Sequence, residues 1–200
     1  MHPDPLPRLV LASTSPYRRD LLTRLGLPFT ARAPGCDEES LKASLGGGTP
    51  PDRLAAALAR AKAESLAEAE PGALVIGADQ VAALDGEILG KPGSAEQAAQ
   101  QLARLAGRAH VLVTAVALAL DGKVREHVDV TRLFMRPLSR AQIERYVAAD
   151  APIDCAGSYR IEARGITLFE RIESADHDAI VGLPLIALTS MLGAMGYPVP

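Results

Sequence analysis

The residues of this chain best suited to chemistry fall in short groups spread along its length. Near the N-terminus, STSPYRR (Ser13 to Arg19) sets three hydroxyls (Ser13, Thr14 and Ser15) and two guanidiniums (Arg18 and Arg19) around the start of a proline-initiated helix. Unpaired backbone N–H groups and the positive end of the helix dipole make such a start a socket for an anion. The same segment reads equally well as an ordinary capped helix with solvated arginines. Cations at a helix N-terminus oppose its dipole, and a bound anion would remove that conflict.

Asp79 closes the apolar run LVIGAD, and Glu38 follows Asp37 after an irregular stretch. Carboxylates meeting at one point would hold Mg²⁺ through oxygen and leave positions for phosphate and water. Taken singly, each is an ordinary turn or surface acid, and no spacing forces them together. Lys62 and Lys91 could neutralise phosphate oxygens as flexible point charges, or could be solvated lysines. His2, His110, His127 and His177 form no HxH or HxxxH pair, which argues against a histidine-bound metal. GxSxG is absent, which disfavours a Ser/His/Asp hydrolase.

The elements that must carry these groups are legible from punctuation and periodicity. LVLAS (Leu9 to Ser13) reads as a buried strand, followed by a helix with Ser15 at the N-cap, Pro16 at its first position and Gly26 at its end. After GGGTPP (Gly46 to Pro51) comes an Ala/Leu-rich helix from Arg53 to Glu68 that carries Lys62. Leu74 to Asp79 reads as a strand leading to a hairpin that turns at Asp85-Gly86. Ser94 with Gln97 and Ser139 with Gln142 have the form of capping boxes for two more helices. Between them, HVLVTAVALAL and Lys123 to Met135 read as strands joined at Asp121-Gly122. Gly165 to Ile172 reads as a last strand before a closing helix from about Pro184. The mixed order predicts an α/β or α+β fold with a mixed sheet.

With 200 residues, 48% hydrophobic and 22% charged, the composition is that of a globular protein with one sizeable core or two small lobes. A net charge of -3 argues against a general binder of nucleic acid polymers, so a phosphate site must be a local cationic cluster. Cys36 and Cys155 have no CxxC partner, which leaves zinc and a disulfide framework unsupported and fits a reducing, cytoplasmic setting. The opening MHPDPLPR does not read as a signal peptide. Ala179 to Pro200 carries no charge, but Pro184, Thr189, Ser190 and three glycines interrupt it, so a buried helix is expected there and no membrane span.

Taken in order, SxSPxRR at Ser13 to Arg19, Asp37-Glu38, AxxKA around Lys62, GAD at Gly77 to Asp79, GKP at Gly90 to Pro92, GRAH at Gly107 to His110 with Thr114, and AGSYRIEARG at Ala156 to Gly165 resemble the Maf family of nucleotide pyrophosphatases. The likeness runs from about Leu9 to Gly193, and the motifs carry weight because several occur in order. The resemblance implies a single Maf-like domain over residues 1–200, its two lobes sharing one nucleotide cleft around a mixed sheet, as in inosine triphosphate pyrophosphatases. It implies Asp79 as general base or metal-side carboxylate and Glu38 as its partner on a divalent cation, Mg²⁺ or alternatively Mn²⁺. Ser13, Arg18, Arg19, Lys62 and Lys91 are implied to hold the triphosphate, and a homodimer is a family habit.

The branch of the family that cleaves dTTP and UTP has SPRR, GADT and a glutamine in the AGS loop. Here Tyr17, Gln80 and Glu162 stand at those places, which is similar to the YceF branch acting on 7-methyl-GTP, where the aromatic is usually tryptophan. N7-methylated guanine is cationic, so Tyr17 could stack on it, Glu162 could accept from its N1–H and 2-amino group, and Gln80 could supply an amide. The expected activity is removal of methylated guanine nucleotides from the pool. Alternatives are a pyrophosphatase for dTTP, UTP or another modified nucleotide, a nucleotide-binding regulator of cell division or septum formation, and a nucleotide-binding domain without catalysis.

Overall fold

The computed structural model describes residues 6–199; His2 and the rest of the opening five residues lie outside it, as does Pro200. Strand β1 (Arg8–Ala12) lies between two parallel neighbours, β2 (Phe29–Arg32) and β3 (Ala73–Leu84). The sheet continues with antiparallel β5 (Ala109–Leu120), β6 (Lys123–Met135) and β7 (Phe169–Glu173), and the short β4 (Glu87–Leu89) folds back on β3. The order is β2-β1-β3-β5-β6-β7, a seven-stranded mixed sheet as the α/β reading predicts.

Helices cover both faces, which is why the central strands are nearly continuous apolar runs. On one face α3 (Pro51–Ala67) lays Leu54, Leu58, Ala59, Ala63 and Leu66 against Val10, Ala12 and Val75. On the other, α1 (Pro16–Thr23) and α7 (Leu185–Gly193) pack Leu21, Leu22, Leu188 and Leu192 on Leu9, Leu11, Leu74 and Ile76. Farther along the sheet, α4 (Ala95–Leu105) and α5 (Arg140–Asp150) close a third cluster with Leu112, Leu133, Tyr159 and Phe169.

Gly77 fixes how close α3 can come. A Cβ there would lie 2.2 Å from the Ala59 carbonyl oxygen and 2.6 Å from the Ala63 nitrogen, so only glycine admits the helix at this distance. The next residue on that face of β3 is Asp79, and the same turn of α3 that packs on Gly77, Ala59 to Ala63, carries Lys62.

Several details depart from the sequence reading. Asp79 does not end its strand but stands within the twelve-residue β3. The stretch around Glu38 is not wholly irregular: Asp37 caps an additional helix, α2 (Glu38–Leu45), with Oδ1 accepting from the backbone N–H groups of Glu39 and Ser40. Gly165 to Ile172 is not one strand, because Arg164–Leu168 forms a 3-10 turn and only Phe169–Glu173 pairs with β6. A Cβ on Gly165 would meet the Arg160 oxygen at 2.2 Å, and that close approach bends the chain where alternation alone suggests a strand. Ser139 and Gln142 form the reciprocal capping box; at Ser94 only the serine half is present. Among the described residues, no helix is long and apolar enough to cross a membrane.

Candidate active site

The sheet is interrupted beside the middle of β3, and the cleft lies there. β1 ends opposite Gly77 and β4 ends opposite Ala82, so residues 78–81 of β3 pair with β5 on one edge and with no strand on the other. A cavity of about 1180 Å³ opens beside this gap, with room for a nucleotide. Its walls come from the turn after β1, the start of α2, α3, the gap residues of β3, the Leu89–Lys91 segment after β4, and the loop from Asp154 to Glu162.

At one end lies a compact charged group. Lys62 Nζ is 2.6 Å from Asp79 Oδ1 and 3.1 Å from Glu38 Oε1. Lys62 and Asp79 are both buried, whereas the Glu38 side chain is more than one-third exposed toward the opening. The two carboxylates therefore do converge, on a lysine ammonium that holds them in one place. Such a pair is specified by close packing rather than by surplus stability, since its desolvation offsets much of its attraction.

Ser13 to Arg18 line the adjoining wall. Ser15 caps α1 by accepting from the Arg18 N–H, while the buried Ser13 hydroxyl oxygen accepts from the Ser15 N–H at 3.1 Å. Arg18 turns inward and its Nε donates to the Gly182 carbonyl at 3.0 Å. Burial lowers its pKa from the usual arginine value, and the Asp79 and Glu38 carboxylates oppose that shift. Arg19 is exposed and does not line the cavity, unlike Ser13, Arg18, Lys62 and Lys91.

The far end is built on a loop. Tyr17 and Glu162 both line it, and Glu162 is near enough to act on the phenol: burial raises the Tyr17 pKa, Arg160 lowers it, and Glu162 raises it again. Glu162 sits in a turn pinched at its base, where the Ala163 and Gly165 N–H groups both donate to the Arg160 carbonyl. Below it, the Ser158 hydroxyl donates to Gln101 Oε1 at 2.7 Å, the Tyr146 hydroxyl accepts from the Arg160 N–H, and Asp150 accepts from the Arg164 N–H. Tyr159 completes the support: its hydroxyl bonds His110 Nε2 at 3.0 Å and its ring packs edge-on to Phe169. Burial pushes His110 down to about 4, so the imidazole is neutral at physiological pH.

Gln80 lines the cavity between the two ends, yet its amide N–H groups are spent on protein atoms. Thr14, named in the sequence as one of three hydroxyls at the helix start, also lines the wall, whereas the sequence reading passed over Glu39 and Lys42 there and Leu89, Leu112, Ile161, Ile180 and Val181 on the apolar lining. Lys42 has a nameable cause, because α2 has no buried residue and hence no periodicity to reveal it.

The family model described as Maf-like protein matches residues 8–195. The chain belongs to that family. It is 49% identical over 196 residues to the 7-methyl-GTP pyrophosphatase of Xanthomonas campestris pv. campestris (strain 8004), an alignment covering 98% of this chain and 100% of the relative. The 7-methyl-GTP pyrophosphatase of Bdellovibrio bacteriovorus is 48% identical over 189 residues, covering 94% and 97%. That of Bordetella pertussis is 49% identical over 191 residues, covering 95% and 93%.

Proposed function

We propose that this chain hydrolyses 7-methyl-GTP to 7-methyl-GMP and pyrophosphate. The observation that carries the reading is the division of one cleft into a cationic, carboxylate-bearing end, suited to a triphosphate, and an end that pairs an aromatic ring with an acid, suited to a cationic purine. The names and full-length identity of the relatives point the same way.

The residues have separable tasks. Ser13, Arg18, Lys62 and Lys91 would hold the phosphate oxygens and spread the charge that develops at the α-phosphorus. Water attacks that phosphorus, the bond to the bridging oxygen of the β-phosphate breaks, and pyrophosphate leaves. Asp79, held by Lys62, would orient the water and accept its proton. Tyr17 stacks on the electron-poor ring, and Glu162 accepts from N1–H and the 2-amino group, donors that uracil and thymine do not present together.

The donor set suits a divalent cation, Mg²⁺ or Mn²⁺. Among the described residues the cavity lining carries six carboxylates against four lysine or arginine cations, so a polyanionic triphosphate needs a companion charge to enter. Two carboxylates that already converge, Glu38 and Asp79, match the ligand share that Mg²⁺ takes from protein when phosphate and water supply the rest. Bound there, the ion would polarise the phosphate oxygens and offset negative charge.

Chromatography of the products tests the reaction. The expected pair is 7-methyl-GMP with pyrophosphate, lost on chelation of the metal and in Asp79→Asn; release of 7-methyl-GDP with orthophosphate would contradict attack at the α-phosphorus.

A further inference from the structure

Gln80 is expected from sequence to touch the base, but its contacts lead elsewhere. Its Nε2 lies 2.9 Å from the Ala179 carbonyl, 3.0 Å from the Ile180 carbonyl and 3.0 Å from Thr114 Oγ1, so two hydrogens are shared among three acceptors. Carbonyls only accept, which fixes the nitrogen as the atom facing them. Thr114 reinforces the anchor, its hydroxyl donating to the Ala179 carbonyl at 2.8 Å.

Ala179 and Ile180 belong to α6 (His177–Val181), a single short turn too brief to persist without tertiary support. Asp176 caps its start through the Asp178 N–H, and Gln80 with Thr114 holds the carbonyls nearer its end. Directly after it, the Gly182 carbonyl accepts from Arg18 Nε at 3.0 Å. Gly182 has φ +130, and a Cβ there would meet Arg18 Nε at 3.5 Å, so the guanidinium packs against this residue as well as bonding to it. A continuous path of hydrogen bonds and one short helical turn thus joins the Gln80 amide to Arg18.

We propose that Gln80 is a positioning residue for Arg18, acting through α6 and the Gly182 carbonyl on phosphate binding, and that its amide nitrogen does not read the base. This rests on the assignment of the Arg18 end of the cleft to the triphosphate. A threonine, which the resemblance places here in the dTTP and UTP branch, has no amide with which to bridge two carbonyls.

Inorganic tripolyphosphate, which has no base, separates the two roles. Calorimetric titration with Mg²⁺ and tripolyphosphate is run on the wild type, Gln80→Ala, Arg18→Ala and the double variant, beside KM and kcat for 7-methyl-GTP and UTP. Gln80→Ala is expected to weaken tripolyphosphate about tenfold, to raise both KM values by that same factor, and to add little once Arg18 is gone. Unchanged tripolyphosphate affinity in Gln80→Ala overturns the proposal, whether it comes with an altered ratio of 7-methyl-GTP to UTP or only with lowered thermal stability. Full additivity with Arg18→Ala overturns it too. Thr114→Val removes one hydroxyl of the same anchor and is expected to give the same pattern at smaller size should Gln80→Ala not fold. Failure of the wild type to prefer 7-methyl-GTP would remove the proposed substrate and leave the tripolyphosphate comparison intact.

Discussion

The two ends of the cleft are held by different means. At the end proposed for the phosphates, Asp79 sits in the most buried strand of the sheet and Lys62 on a helix pressed against it at Gly77, so the charged atoms are placed by backbone packing. At the end proposed for the base, Glu162 stands at the tip of a loop fixed by single hydrogen bonds to Gln101, His110, Tyr146 and Asp150. A rigid site suits chemistry that every nucleoside triphosphate shares, and a supported loop suits recognition that differs between relatives. Faults at the first end should therefore cost turnover for all substrates alike, and faults at the second should change which substrate is favoured.

The largest expected effect lies at the rigid end. Asp79→Asn should lower kcat by about a thousandfold for every nucleotide while the circular dichroism spectrum stays native; a loss confined to 7-methyl-GTP would break the comparison. Lys62→Met leaves Asp79 buried beside Glu38 without its cation and is expected to cost about 3 kcal/mol in stability, read from urea unfolding. Gly77→Ala attacks the same packing from the backbone side, and about 2 kcal/mol is expected together with loss of activity, because α3 must retreat and carry Lys62 with it.

Glu162→Gln should act on preference. Its carboxylate accepts two hydrogen bonds from guanine in the proposed pose, so kcat/KM for 7-methyl-GTP should fall about thirtyfold while UTP changes little. The smallest effect concerns the scaffold below that loop. His110 is neutral in the folded state and pushed down to about 4, whereas its ordinary value is 6.5. The stability it contributes is fully present above pH 6.5 and is lost as the pH falls from 6.5 toward 4, because the unfolded chain takes up the proton first. His110→Gln should flatten the fall of melting temperature across that window, and an unchanged slope would remove His110 as its cause.

The same division governs what the sequence discloses. β1, α1, α3 and the turns at Asp85-Gly86 and Asp121-Gly122 are written in local signals, namely caps, turn residues and apolar runs, and the fold class follows from them. β2 and α2 are not legible because neither has an apolar face: β2 leaves three of its four residues exposed, and α2 buries none. The meeting of Lys62 with Asp79 and Glu38 depends on the approach of α3 to Gly77, a long-range fact that spacing does not encode. Likeness of motif brings Gln80 forward as a base reader, whereas its environment gives its amide to α6. A motif identifies a position, and only packing tells which neighbours share it.

The most direct test of the central claim is pyrophosphate release by the wild-type protein from 7-methyl-GTP, GTP, UTP and dTTP in parallel, with and without Mg²⁺. The account predicts metal-dependent release with kcat/KM highest for 7-methyl-GTP, and a preference for UTP or dTTP would contradict the assignment of Tyr17 and Glu162 to a cationic purine.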